Sequence, residues 1–558
     1  MIAVPEVREP SPQYLATEPP ALVRQFDLLA TAPDGVTRLR ELILTLAVQG
    51  KLVQQVHSDE PADQLLARAL AAHRELFSSG RISRTIAAEP ISDDVARYPL
   101  PTSWVWCRLC DLAWPQAGFA FKSTGFNEVG QGLPLVRIRD VGSELAPSTF
   151  FSGEYREEFL VENGEWLVSM DGEFRVRRWH STTALLNQRV TRLVFASVEV
   201  HADFVAIALQ RELTSLQGTK AYTTVDHLSG KQIAEAVIPL PPAAEQARIV
   251  ARVDELMRLC DALEAKGRLE AEQHARLLST LLGTLTDSTT PEELAANWQR
   301  VAEHFDLLLD RPEAVDALEE TLLQLGLRGA LMSVRDLGDP PAIQKQGDSS
   351  HSEPFSWPTV RLGDLLEDLR YGTSAKCSYS GVGTPVLRIP NLRDGGIDVT
   401  DLKYGELDAR EAEGLRLEEG DLLIIRSNGS ANLVGTAALV SAELRGFAFA
   451  GYLVRARVDK TRVVPRFMSL VLKTPEIRRQ IEAPIRTTSG VKNINSTEIA
   501  RLSFTLPPLD LQDSIVLRVT ELRRLCADLR QRLTASQTTQ SHLAEALVAE
   551  VAWASPQR

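Results

Sequence analysis

Cysteine is scarce in this sequence. The 558 residues hold five, Cys107, Cys110, Cys260, Cys377 and Cys526, scattered and odd in number. That excludes a disulfide framework and fits a reducing compartment. Long apolar runs are absent too: no stretch of eighteen apolar residues occurs, and the first thirty residues lack a basic start followed by an apolar segment. A soluble, cytoplasmic chain with no membrane association is therefore expected. Positive charge is in deficit, with 61 Lys and Arg against 74 Asp and Glu, a net of −13. No global pull toward a polyanion exists, so any nucleic-acid site must be local.

Catalytic motifs are missing as well. There is no GxxxxGK[ST], no HExxH and no GxSxG. Gly381 and Gly383 in SGVGTP precede a strand pattern, so they read as a turn and not as a dinucleotide loop. Cys107 and Cys110 form one CxxC without the second pair that a structural zinc site needs. The nine histidines show no ligand spacing, and His180 beside Arg177, Arg178 and Trp179 reads as surface. Neither a metal site nor covalent chemistry is expected.

What the chain has is repetition. LPPAAEQARIVARVDELMRLCDALEA (240–265) aligns without gaps on LPPLDLQDSIVLRVTELRRLCADLRQ (506–531). LRELILTLAVQGKLV (39–53) matches LEETLLQLGLRGALM (318–332), with Gly50 facing Gly329. Trp104, Arg108, Leu109, Asp111 and Leu112 match Trp357, Arg361, Leu362, Asp364 and Leu365, and PLVRI (134–138) matches PVLRI (385–389). Length alone suggests about three to four domains, and these echoes make the chain a tandem duplication.

Each copy holds short apolar runs, such as EWLVSM (165–170) and DLLIIR (421–426), separated by turn residues, which predicts strands. A Pro-Pro pair, 241–242 or 507–508, then precedes a long polar segment that predicts helix. In the first helix Ile249, Val253, Leu256, Cys260 and Leu263 recur at spacings of four and three; Ile515, Val519, Leu522, Cys526 and Leu529 repeat the rhythm in the second. So narrow a seam predicts a coiled coil in which each helix partners the other.

Charge is unevenly spread. Residues 99–239 carry 13 basic against 16 acidic side chains and residues 355–507 carry 21 against 18, so the acidity lies in the helical and connecting segments. Residues 455–501 hold eleven basic and four acidic side chains; the matching concentration in the first copy is Arg175, Arg177, Arg178, Arg189 and Arg192, among Phe174, Trp179, Asn187 and Gln188. Arg and Lys neutralise phosphates, while Arg, Asn and Gln read base edges. Candidate contacts chosen on that chemistry are Lys122, Arg137, Arg139, Arg175, Arg177, Arg178, Gln188, Lys220 and Tyr222 in the first copy. In the second they are Arg388, Asn391, Arg393, Arg426, Asn428, Arg486, Lys492 and Asn493. Arg137 and Arg388 lie in matched strands and equally fit structural ion pairs.

On the quoted repeats, and above all on AEQARIVARVDELMRLCDALE, the chain resembles the specificity subunit of type I restriction-modification systems. The resemblance implies an α+β fold in which two homologous strand-rich target-recognition domains are separated by two long antiparallel coiled-coil helices, an internal pseudo-twofold repeat. The expected segments are an N-terminal helical region 1–98, recognition domains 99–239 and 355–507, spacer helices 240–285 and 508–558, and a helical connector 286–354. It further implies a noncatalytic subunit that reads a bipartite site in double-stranded DNA, one half per domain. Two modification subunits would dock on the helices and restriction and motor subunits would join them. S-adenosylmethionine and ATP would belong to those partners and none to this chain. The family motif maps spacer and docking roles onto Gln246, Ile249, Val253, Leu256, Cys260 and Leu263, with Gln512, Ile515, Val519, Leu522, Cys526 and Leu529 as second copies. Leu511 stands where the first copy has Glu245, so a polar contact there is not expected to repeat. A self-contained nuclease or methyltransferase, or a protein-only scaffold, are the alternatives; binding to random duplex pools separates them.

Overall fold

The computed structural model describes residues 26–79, 91, 98–143, 145–216, 228–332, 357–379, 381–393, 396–483, 486–488 and 491–553. The chain divides into two compact units, residues 1–268 with 537–558, and residues 269–536. Helices and strands alternate with turns in both.

The strand-rich part of the first unit is built on an antiparallel sheet of β1 (Ala113–Ala117), β2 (Trp166–Ser169), β3 (Val176–Arg178) and β4 (Val190–Phe195), in the order β1-β4-β2-β3. The second unit repeats it with β5 (Leu366–Tyr371), β6 (Leu422–Ile425), β7 (Ala437–Leu439) and β8 (Leu453–Val458), in the order β5-β8-β6-β7. A smaller sheet in each unit contains one parallel pair, Leu135 and Val136 beside Leu185 and Leu186, or Val386 and Leu387 beside Ala448 and Phe449. Outermost strands close each copy: Val105–Arg108 pairs with Val237–Leu240, and Thr359–Arg361 with Ser503–Thr505. The duplication in the sequence is thus a duplication of strand order and direction. The continuous apolar run Leu422–Ile425 is buried at every position, as a strand covered on both faces requires.

Gly50 and Gly329 occupy the same place in the two copies. Both follow a helix and adopt left-handed φ, 70° and 73°, and a Cβ there would meet the indole of Trp104 or Trp357. Glycine satisfies both the backbone and the close approach. Gly381 (φ 70°) and Gly383 (φ 105°) form the expected turn ahead of the strand Thr384–Leu387.

Helices α1 (Gly35–Val48), α2 (Ala202–Leu216), α3 (Ala243–Asp287), α4 (Pro312–Leu327) and α5 (Leu509–Trp553) complete the frame. The two long ones, α3 and α5, have 45 residues each and start just after the Pro-Pro pairs. The boundaries between units fall inside them, after 268 and after 536.

Each unit packs a part of α3, a part of α5 and one shorter helix. In the first, Arg40 of α1 binds Asp261 and Glu264 at 2.7 Å each and Gln55 reaches Glu245 at 2.5 Å, so α1 runs against the direction of α3. Arg38 meets Ser541 at 3.2 Å and Lys51 Nζ meets the Ala552 carbonyl at 3.0 Å, so α1 runs along α5. In the second unit α4 takes the opposite part. Arg530 and Arg523 both reach Glu319, which sets α4 against α5, while Arg328 donates to the Thr286 carbonyl at 2.6 Å.

The seam residues lie in these three-helix cores. Ile249, Val253 and Cys260 cluster with Leu39, Ile43 and Ala47 of α1 and with Ala544 and Leu547 of α5. Cys526, with half-buried Leu522 and Leu529, joins Leu278 and Leu282 of α3 and Leu318 and Leu322 of α4; Ile515 and Val519 pack with Leu323 and Leu327. The seam expected to face only the other long helix is therefore shared with a third, short helix, which fills the groove that two helices leave open. No helix among the described residues is long and apolar enough to cross a membrane.

Candidate nucleic-acid interface

Each strand-rich copy is fastened to its long helix by a buried glutamine. Gln246 is fully buried; its Oε1 accepts the His201 N–H at 2.8 Å and its Nε2 donates to the Pro241 carbonyl at 2.8 Å. Gln512, equally buried, accepts the Val464 N–H at 2.7 Å and donates to the Pro507 carbonyl at 3.0 Å. These two are internal clasps, and their place as partner-docking positions is corrected accordingly. Ile249, Val253, Cys260, Ile515, Val519 and Cys526 are buried as well, and Leu256, Leu263, Leu522 and Leu529 are half-buried. A surface offered to another chain must lie elsewhere on the helices.

Glu245 belongs to the first clasp alone. It accepts from Trp104 Nε1 at 2.9 Å and from Gln55, and burial outweighs these bonds to push its carboxyl above the usual range. Leu511 replaces it in the second copy, and no such contact forms there among the described residues. At Glu319 the balance reverses: burial pushes the carboxyl up, but hydrogen bonds from Arg530 and Arg523 hold it below the usual value.

Many cations that the sequence offered are internal braces. Arg455 is buried, pairs with Asp368 and donates to the Arg416 carbonyl at 2.7 Å. Arg192 stands at the equivalent position of β4, bound to Glu165 at 3.1 Å and to the Leu160 carbonyl at 2.6 Å. Arg457 holds Asp421, and Arg478 reaches Glu482 and three loop carbonyls. The net charge of residues 455–501 therefore overstates the positive face of the second copy. Phe174 and Trp179, which the sequence interleaves with arginines, are core residues.

Among the contact candidates, Asn391 is corrected. It is buried, its Oδ1 accepts the Arg388 N–H and its Nδ2 donates to the Asp398 and Asp401 carbonyls, which leaves no group for a base edge. Arg388 reaches Asp401 at 2.8 Å and Arg393 lies 3.6 Å from Asp398. Arg137 has a buried Nε without a hydrogen-bond partner, and its main-chain N–H binds Asp140 at 2.8 Å. Arg139 is exposed beside Ser148 and Thr149, and Arg175 is tied to Glu173 at 2.5 Å. Arg177 and Arg178 are exposed on β3, an edge strand, with Arg177 also reaching Gln210 at 3.0 Å. Lys122 and Gln188 are exposed on loops next to the Phe119–Asn187 bridge. Lys220 and Tyr222, and the side chain of Arg486, lie outside the described residues.

Five candidates come together in the second copy. Ser427 and Asn428 pair with Asn493 and Lys492, whose strand pairs in turn with Arg486–Thr488, and Arg426 adjoins this three-stranded patch. Exposed aromatic side chains went unread in the sequence. Tyr371 lies beneath Arg426 at 4.5 Å, and Tyr379 has Lys403 Nζ at 4.6 Å. Their signal is local: a tyrosine at the end of a strand whose burial pattern leaves it facing water.

Cys107 and Cys110 are buried free thiols; burial pushes Cys110 up to about 11 and Cys107 well above its ordinary value. Among the described residues no group of three or more His, Cys, Asp and Glu is placed to hold a metal ion.

Comparison with known proteins gives a consistent picture. Residues 101–273 match the model of the type I restriction modification DNA specificity domain. The chain is 28% identical to the type I restriction enzyme EcoEI specificity subunit of Escherichia coli, over 92% of this chain and 93% of that protein. It is also 28% identical to the EcoAI specificity subunit of Escherichia coli, with the same coverage of each. A chain from a solved type I restriction-modification system is 17% identical, with a TM-score of 0.45, over 82% of this chain and 99% of that one.

Proposed function

We propose that this chain is a specificity subunit of a type I restriction-modification system, a noncatalytic reader of DNA sequence, as the family model over residues 101–273 and the 28% identical relatives support, and that each strand-rich copy reads one half of a bipartite site in double-stranded DNA. The observation that carries this is the repeated frame, with identical strand order in both units and different side chains at its rim. Identical frames support two readers, and different rims support different half-sites.

The recognition domains correspond to residues 99–239 and 355–507. Between them α3 and α5 act as an antiparallel spacer with pseudo-twofold symmetry. The exchanged roles of α1 and α4 support that reading, because the short helix opposes α3 in one unit and α5 in the other. Two modification subunits dock on this spacer, with restriction and motor subunits joining them in the cytoplasm. The exposed leucines fit two equivalent docking faces: Leu259 and Leu525 are matched positions of the two copies, as are Leu277 and Leu543, and all four are about half exposed. S-adenosylmethionine and ATP act on those partners.

Selection from a random duplex pool by the full chain, with and without modification subunits, tests the reading. The expected product is two unlike half-sites at a fixed gap. Recovery of a single contiguous site, or of no preferred sequence, contradicts it.

A further inference from the structure

The equivalence of the two copies can be followed residue by residue at the patch around Arg426. Its main-chain N–H donates to the Tyr452 carbonyl at 3.0 Å and its carbonyl accepts the Ile494 N–H at 2.9 Å. In the first copy Met170 makes the same two bonds, to the Arg189 carbonyl at 3.0 Å and from the Leu228 N–H at 2.7 Å. Strand register likewise equates Tyr371, opposite Val454, with Ala117, opposite Thr191. One copy therefore has a buried methionine and an alanine where the other has an arginine lying on a tyrosine.

Arg426 differs from the bracing arginines around it. Arg455, Arg457 and Arg478 each hold a carboxylate, whereas Arg426 forms no ion pair among the described residues. Its Nε is buried without a hydrogen-bond partner and its guanidinium sits 4.5 Å from the centroid of the Tyr371 ring. Tyr371 is itself fixed: its hydroxyl donates to Ser496 Oγ at 3.0 Å and accepts the Ser496 N–H at 2.8 Å. The contact with the ring positions the guanidinium, and among the described residues its two terminal nitrogens form no hydrogen bond, so they are the groups left to donate. Two parallel N–H donors in a held plane match the O6 and N7 acceptors on the major-groove edge of guanine.

Resting on the proposed reading of DNA, we propose that Arg426, positioned by Tyr371, is a specificity-determining residue of the second copy and recognises a guanine. Asn428 and Lys492, paired across the adjoining strands, flank it. The first copy, with Met170 and Ala117, lacks this reader, so the guanine belongs to one half-site only.

The test is duplex selection with the full chain as wild type, Arg426→Lys and Tyr371→Ala. Lysine keeps the charge and loses the paired donors. The expected result is a loss of preference at one G·C pair of one half-site, roughly 5- to 150-fold, with the other half unchanged, and a partial loss at the same pair for Tyr371→Ala. Undiminished preference at every position in Arg426→Lys overturns the inference while leaving the bipartite reading intact. A uniform weakening across all sequences, with no single position losing its preference, overturns it too, because that marks a phosphate contact. If wild type selects no sequence, the proposed function itself falls. Should a variant fail to fold, the wild-type chain answers the question with 7-deazaguanine placed at each selected guanine. Loss of binding at one position of that half-site supports the inference, and tolerance at all of them contradicts it.

Discussion

The two strand-rich copies share a frame and differ at its rim. On the edge strand β3 the first presents Arg177 and Arg178, where register puts Ala438 and Leu439 in β7 of the second. At the ends of the inner strands the second presents Arg426 and the first buries Met170. Inside the frame the copies agree: Arg192 and Arg455 brace equivalent loop carbonyls, and Gln246 and Gln512 clasp equivalent turns. Packing fixes the buried cations and amides, because an unpaired polar group there is costly. Rim positions carry no such penalty and are free to diverge, as the proposed reading of two unlike half-sites requires.

The braces offer the hardest test of that equivalence. Arg455→Ala removes a buried cation from half-buried Asp368, which keeps Arg370 at 3.4 Å, and should cost about 3 kcal/mol. Arg192→Ala, at a more accessible site, should cost about 1–3 kcal/mol. Denaturant titration of both variants measures the difference, and equal, negligible losses would mean that neither residue braces its loop. Next in size, Gln246→Ala and Gln512→Ala should each cost about 1–3 kcal/mol, since each strands a buried N–H and a buried carbonyl. Hydrogen exchange should show each loss concentrated in its own unit; a loss spread evenly over both would break the comparison.

At the rim, Arg177→Ala with Arg178→Ala should weaken duplex binding and reduce the slope of log affinity against log salt by about 2 if both meet phosphates. An unchanged slope would remove them from the interface. The smallest effect concerns Glu245. Its folded carboxyl titrates above its unfolded value, so the folded state holds the proton more tightly. The first unit should therefore gain stability as pH falls through the window above the ordinary glutamate value, and lose that gain as pH rises. Glu245→Gln should abolish the dependence, and the second unit, with Leu511, should not show this contribution.

The frame was legible in the sequence because repetition and proline stops are read without tertiary knowledge. The Pro-Pro pairs stand just ahead of α3 and α5, and Trp104 and Trp357 just ahead of the first paired strand of each copy. Two things were hidden. A heptad seam gives the spacing of a buried stripe but not the number of helices around it, so the part played by α1 and α4 was missed. Charge counts also do not distinguish a brace from a contact: Arg455 and Arg426 look alike in sequence, and only the placement of Asp368 and Tyr371 separates them.

Exchange of residues 99–239 for the corresponding segment of a relative, followed by mapping of the sites methylated in the assembled complex, tests most directly whether twin readers act independently. One half-site should change while the other half and the gap between them stay as they were. A change in both halves would contradict it.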